Sequence, residues 1–156
     1  MLNKINQQLE KIYSIVEGGD KFEKEISNWS VYKQLEHILI TKKKVTKAII
    51  EKQQVEEKKP RTFISYIVLT IGYLPRGKAK VPKIVEPKGV SQNELRNLLN
   101  DTKANLSKLD NIDYKNIDSV VENHPYFGGL NSKEWLRFLE VHTNHHLKII
   151  RDIEKS

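Results

Sequence analysis

In four separate stretches of this chain, apolar residues recur at steps of three and four with polar residues between them. An α-helix advances about 100° per residue, so that spacing gathers the apolar side chains on one face and demands another helix to cover it. The first stripe is Leu2, Ile5, Leu9, Ile12 and Val16, closed by Gly18-Gly19-Asp20, because glycine adopts the left-handed terminal conformation without a Cβ penalty. The second is Val31, Leu35, Ile38, Val45 and Ile49, in a helix expected over residues 28–52 with Ser27, Asn28 and Ser30 as alternative N-caps. The third is Leu95, Leu98, Leu99, Leu106 and Leu109, introduced by Ser91-Gln92-Asn93-Glu94, which has the capping-box pattern. The fourth is Trp135, Phe138, Leu139, Ile149, Ile150 and Ile153. Its start is doubly specified, with Asn131 and Glu134 as a second capping box and Leu130 and Trp135 in the positions of a hydrophobic staple.

A fifth, shorter run, Phe63, Ile64, Ile67, Val68 and Ile71, also has helical spacing. Its β-branched and aromatic content is compatible with a strand, but among four amphipathic helices a short helix is the more consistent reading. These elements predict an all-α four-helix bundle with an extra short helix. Between residues 72 and 90 the chain changes character. Pro75, Gly77, Pro82, Pro87 and Gly89 interrupt regular structure, and Arg76, Lys78, Lys80, Lys83 and Lys88 make this long connection basic. Such a loop is either a lid over a site or a crossover. Residues 110–129 carry few helix signals, and no linker separates two domains, so residues 1–156 are expected to form one domain.

Composition narrows the functions open to such a bundle. The chain has no cysteine, which excludes disulfides, a thiolate nucleophile and thiolate metal ligands; any thiol would have to be brought from outside. The formal charge is +7, which favours anionic partners in general. With density at Lys42-Lys43-Lys44 and Lys58-Lys59-Pro60-Arg61, its simplest reading is a solubilising surface. No nucleic-acid-binding motif is present, so no nucleic-acid partner is expected. No apolar run reaches membrane-spanning length and the first residues lack a secretory pattern, so the expected location is the cytoplasm, away from the membrane.

The fourth stripe has a gap, and the gap is filled by His142 and His146, in line with Trp135 and Ile153. Two imidazoles one turn apart lie roughly 5–6 Å apart at Cβ, within reach of one metal ion. Buried, hydrogen-bonded histidines are the alternative. His37 in the second helix falls to the side of its stripe, near Ala48 and Lys44 on the helical wheel, which reads locally as a flank or surface position. His145 lies at the flank of the fourth stripe, and His124 precedes Pro125, which biases it towards extended backbone.

Trp29-Ser30 followed by Leu35-Glu36-His37-Ile38, together with His142-Thr143-Asn144-His145-His146, is similar to the DinB-like superfamily of four-helix bundles. Within that superfamily, His124-Pro125-Tyr126-Phe127-Gly128-Gly129-Leu130 and Glu134-Trp135 resemble a branch of largely uncharacterised proteins. The resemblance implies a three-histidine site in which His37, His142 and His146 ligate a divalent ion. Imidazole ligands are compatible with zinc, nickel, iron and manganese, with zinc and nickel the first candidates. Superfamily members include thiol-dependent transferases and isomerases. The expectation is therefore a metal-dependent transferase or hydrolase acting on a small molecule, with a low-molecular-weight thiol or water as nucleophile. A non-catalytic metal- or ligand-binding bundle is the alternative, since a fold does not determine function. Glu36 and Tyr32 are the nearest acid–base candidates around His37, Glu140 is expected to be exposed, and a homodimer through a free helix face stays open.

Overall fold

The computed structural model describes residues 1–51, 53–77, 80–112 and 120–156, with backbone alone at residues 120 and 121. Lys52, Lys78 and residues 113–119, which the sequence reading places in a helix end, the basic connection and the region before the last helix, lie outside the described residues. Among the described residues there are five α-helices: α1 (Leu2–Gly18), α2 (Val31–Ile50), α3 (Phe63–Ile71), α4 (Gln92–Leu109) and α5 (Ser132–Lys155). The mainly helical expectation holds. The sequence reading missed a hairpin of β1 (Val120–His124) and β2 (Gly128–Asn131), which pair antiparallel with an irregularity between Val120 and Glu122.

Both predicted capping boxes form. The Ser91 hydroxyl accepts from the Glu94 amide, the Asn131 side chain accepts from the Glu134 amide, and each glutamate reaches back to the cap's own N–H. Each box satisfies two otherwise orphaned backbone donors. Of the three alternatives offered for α2, Ser30 is the cap, so the helix begins at Val31 rather than at residue 28. Helix α3 is capped by Thr62 and ends on Gly72 in the left-handed conformation.

The long helices pack so that α1 and α2 each contact both α4 and α5. The core between them contains Ile5, Leu9 and Ile12 of α1, Leu35, Ile38 and Leu39 of α2, Leu95 and Leu99 of α4, and Leu136, Leu139 and Ile150 of α5. The hairpin docks beside the start of α3. There Thr62 N–H donates to Phe127 O (3.1 Å) and Gly129 N–H to Lys59 O (3.0 Å). Gly128 has φ 78°, and a Cβ on it would stand 2.0 Å from Pro60 O. Only glycine lets the two backbones meet there.

The basic connection is a crossover that runs over the bundle and includes a 3₁₀ turn, Lys83–Val85. It is tied to α2 by Glu36, whose carboxylate accepts from the Lys88 and Gly89 amides at 3.0 and 2.9 Å.

Two positions depart from the expected surface. Glu140 is buried and carries ion pairs to Arg137 (3.0 Å) and Lys4 (3.5 Å). Lys42, placed in a solubilising Lys42-Lys43-Lys44 cluster by the sequence reading, is 0% exposed. It fills the gap in the α2 stripe between Ile38 and Val45, and its Nζ donates to Gln8 Oε1 at 3.3 Å. Burial pushes its pKa down to about 7, against a smaller opposing pull from Glu140.

The pH dependence of this burial has a defined sign. Below pH 7 the amine is charged in both folded and unfolded chains and its desolvation penalty is fully present. Between about 7 and the unfolded value of 10.5 the unfolded chain binds more protons, so stability rises with pH. Lys42→Met, of similar length, should therefore stabilise the fold at pH 6 by roughly 1–4 kcal/mol, the range seen when buried charge is replaced by apolar side chains. The gain should shrink towards pH 9. Urea unfolding at both values measures it, and a gain independent of pH would show that Lys42 is not buried as a cation.

Candidate metal centre

Helices α2 and α5 bring three histidines together. His37, His142 and His146 are all buried, and each offers a ring nitrogen within 4.8 Å of the others. His37 Nε2 stands 2.9 Å from His142 Nε2, which in turn stands 3.1 Å from His146 Nε2. The wheel argument that put His37 at a flank or surface position is overturned. Helix α2 touches α1, α4, α5, β1 and the 3₁₀ turn, and buries Gln34, Leu35, Glu36, His37, Ile38 and Leu39 in succession. A helix enclosed on several sides has no single buried stripe from which a residue can be off-centre.

Hydrogen bonds on the far side of the rings fix their orientation. His37 Nδ1 donates to Val85 O at 2.7 Å, and His146 Nδ1 donates to Gln34 Oε1 at 2.5 Å. A neutral imidazole carries one proton, so with Nδ1 committed, each Nε2 presents a lone pair to the centre. His142 Nδ1 is buried without a hydrogen-bond partner among the described residues. Every proton arrangement of the three neutral rings alone leaves a demand unmet. A proton on His142 Nε2 faces two acceptors and leaves a buried Nδ1 acceptor unpaired, and a proton on Nδ1 makes three lone pairs converge. One cation at the centre would meet all three nitrogens. The 2.9 and 3.1 Å spacings are within the reach of two nitrogens about 2.0–2.1 Å from one ion, and all three ligand atoms lie within 4.8 Å of one another. Three buried histidines this close could hold a metal ion.

The electrostatics keep the rings in the ligating form. Desolvation lowers the pKa of His142 and His146 well below the ordinary histidine value, with further lowering of His142 by His146 and His37 and of His146 by His37. Desolvation also lowers His37, and its bond to Val85 opposes this in part. All three therefore favour the neutral state that a metal needs.

Aromatic rings wall the cluster. Trp29 lies 5.1 Å from the His37 ring and stacks at 6.4 Å on His146, while Phe138 lies 5.2 Å from His142. Trp29 is half-buried, so it closes the cluster from the solvent side. His145 is half-buried, donates from Nδ1 to Leu74 O (2.9 Å) and lies edge-on to His146 at 5.0 Å. It also lines a cavity of about 320 Å³ with Arg76, Asn144 and Lys148, which none of the three clustered histidines lines. His124 belongs to an adjoining aromatic group that shares Phe138 with the cluster wall, stacked at 4.3 Å on Phe127 and 4.6 Å from Phe138. Burial lowers its pKa to about 4.

The two acid–base candidates are engaged elsewhere. Glu36 holds the Lys88 and Gly89 amides, and the Tyr32 hydroxyl donates to Val16 O at 3.1 Å. The sequence reading did not single out Gln34 and Val85, which orient two of the rings. Gln34 is an amide in a buried run of α2, and a backbone carbonyl leaves no trace in residue type. No family model, curated protein or solved structure matches this chain.

The lowered histidine values set a pH window. Below 6.5 the unfolded chain takes up protons that the folded rings refuse, so stability falls as pH drops from 6.5 towards the folded values. In the presence of chelator, the parent should lose more stability between pH 7.5 and 5 than a His37→Gln, His142→Gln, His146→Gln triple variant. Parallel pH profiles in chemical unfolding would contradict the buried neutral cluster.

Proposed function

We propose that this protein is a divalent-metal-dependent enzyme of the DinB-like type, acting on a small molecule at the site formed by His37, His142 and His146. The observation that carries the reading is the convergence of three buried imidazole nitrogens at 2.9 and 3.1 Å with two of the rings already oriented by far-side hydrogen bonds. Zinc and nickel are the leading ions for an all-imidazole donor set. A divalent ion there supplies Lewis acidity sufficient to ionise a coordinated water or thiol near neutral pH.

The chain's own residues do the rest. His37, His142 and His146 hold the ion and, with only three protein donors, leave further positions to small molecules. Gln34 and the Val85 carbonyl keep two Nε2 lone pairs inward and raise the basicity of those ligands. Trp29 and Phe138 exclude water from the rings. With no cysteine in the chain, a nucleophilic thiol would come from outside, so the reaction proposed is transfer to a low-molecular-weight thiol, with hydrolysis by water as the sister reaction. Glu36 and Tyr32 are given no proton-transfer role.

A second reading, a metal- or ligand-binding bundle without catalysis, is favoured by one specific observation: both nearby acid–base candidates are committed to backbone partners.

Protein purified without a histidine tag should contain close to one divalent ion per chain by elemental analysis. His142→Ala and His146→Ala should each lower the affinity for it by at least tenfold, and Gln34→Leu by roughly 10–100-fold, as removal of a ligand's hydrogen-bond partner does. Titration of small thiols into the loaded parent should then give turnover with an electrophilic substrate. Metal binding unchanged in His142→Ala and His146→Ala would refute the site, and bound metal without turnover on thiol, ester or epoxide substrates would select the second reading.

A further inference from the structure

The loop that leaves α3 lies against the flank of α5 and encloses space there. A cavity of about 320 Å³ is bounded by Tyr73, Leu74 and Arg76 of the loop and by Val141, Asn144 and Lys148 of α5. Its volume falls at the lower end of the roughly 300–1,000 Å³ usual for small-molecule sites. None of the residues that line it is acidic, and His37, His142 and His146 take no part in it.

The walls are held in place. His145 Nδ1 donates to Leu74 O at 2.9 Å, and Arg76 pairs with Asp152 at 2.6 Å, so the loop is tied to α5 twice. Asn144 is oriented from the interior of the bundle. Lys42 Nζ donates to Gln8 Oε1 at 3.3 Å, which turns Gln8 Nε2 towards Glu140 O and Asn144 Oδ1, each at 2.9 Å. With its oxygen accepting from Gln8, Asn144 keeps both Nδ2 protons for a guest. A chain of hydrogen bonds that starts at a fully buried lysine thus sets the direction of one exposed amide at the cavity wall.

We propose that this cavity binds a small organic oxyanion, a carboxylate or phosphate monoester carried on a flat apolar body. Lys148 supplies the cation, with its Nζ 5.7 Å from the centre of the Tyr73 ring, and Asn144 Nδ2 supplies the neutral donor. Hydrogen bonds from a charged donor to an oxyanion are about twice as strong as neutral ones. Tyr73, Leu74 and Val141 offer the apolar surface on which the body of the ligand rests.

The surrounding charge has the sign this ligand requires. Burial lowers the His145 pKa, its bond to Leu74 opposes this in part, and Arg76 and Lys148 each lower it further. Both cations therefore act on the cavity wall while His145 itself stays neutral. An adjoining cavity of about 370 Å³ shares Gly72, Asn144 and Lys148 with the first and adds Lys11 and Arg151 against one acid, Glu154. Among the described residues, Lys11, Lys148 and Arg151 form no ion pair. Unpaired cations along a concave wall raise the local concentration of anions.

Phenyl phosphate and benzoate are the probes, with benzyl alcohol as their uncharged counterpart. Titrated into the full chain with chelator present and followed by amide NMR, at least one anion should bind saturably with a Kd of about 1 mM or tighter. Its shifts should centre on Gly72, Tyr73, Asn144 and Lys148, and the stronger of the two anions identifies the head group. Benzyl alcohol should bind roughly tenfold more weakly or not at all. Lys148→Gln and Asn144→Asp, both at exposed positions, should each raise the Kd by roughly tenfold. Lys133→Gln makes the same change of charge at an exposed position outside the cavity and should leave the Kd within about twofold. Absence of saturable binding of either anion at about 20 mM would overturn the proposal, as would equal weakening by Lys133→Gln or equal binding of benzyl alcohol. Binding seen only without chelator would also overturn it, because the anion would then sit on a metal ion at the histidine cluster.

Discussion

The structure depends on imidazoles taken out of water at the seam between α2 and α5. Each ring loses its hydration there, and an unpaired buried polar atom costs about 1–3 kcal/mol. His37 and His146 recover one bond each, from Val85 O and Gln34 Oε1. His142 recovers none at Nδ1 among the described residues. The remaining demand is concentrated at one point, where the three Nε2 atoms meet. A bundle of this size could fill the same space with leucine, so the arrangement is a stability concession located at a candidate site.

Other parts of the fold serve that point. The capping box at Asn131 and Glu134 fixes where α5 begins, and hence the phase at which His142 and His146 enter the interior eight and twelve residues after Glu134. Glu36 anchors the crossover through the Lys88 and Gly89 amides, and the same crossover delivers Val85 O to His37. The basic residues of this segment are less informative than its backbone. It is bound to α2 rather than poised above it, which makes it a fixed wall of the site. Lys42, fully buried five residues beyond His37 on α2, adds a positive influence that lowers the His142 pKa further.

Much of this architecture is legible in the amino-acid sequence alone. Amphipathic spacing locates the helices, and the two capping boxes place the starts of α4 and α5, because local hydrogen bonding decides those positions. The interruption of the α5 stripe marks His142 and His146. The same logic applied to α2 would have exposed Lys42, which occupies an equivalent gap between Ile38 and Val45, but its membership of a lysine run suggests surface. His37 is legible only by resemblance, since a helical wheel assumes one buried face and α2 is enclosed on several. That α3 buries Val68 but leaves Phe63, Ile64, Ile67 and Ile71 exposed is hidden because periodicity reveals that a face exists, not which way it points. The hairpin escapes notice because close backbone packing at Gly128 and Pro60, rather than strand alternation, accompanies it.

The central claim is that the three inward nitrogens form one metal site. X-ray absorption spectroscopy on the zinc-loaded protein tests it most directly, because imidazole rings give a distinctive multiple-scattering pattern. The result expected is three imidazole nitrogens at about 2.0–2.1 Å. An oxygen-dominated shell without imidazole scattering would place the metal elsewhere and leave the cluster as buried histidines alone.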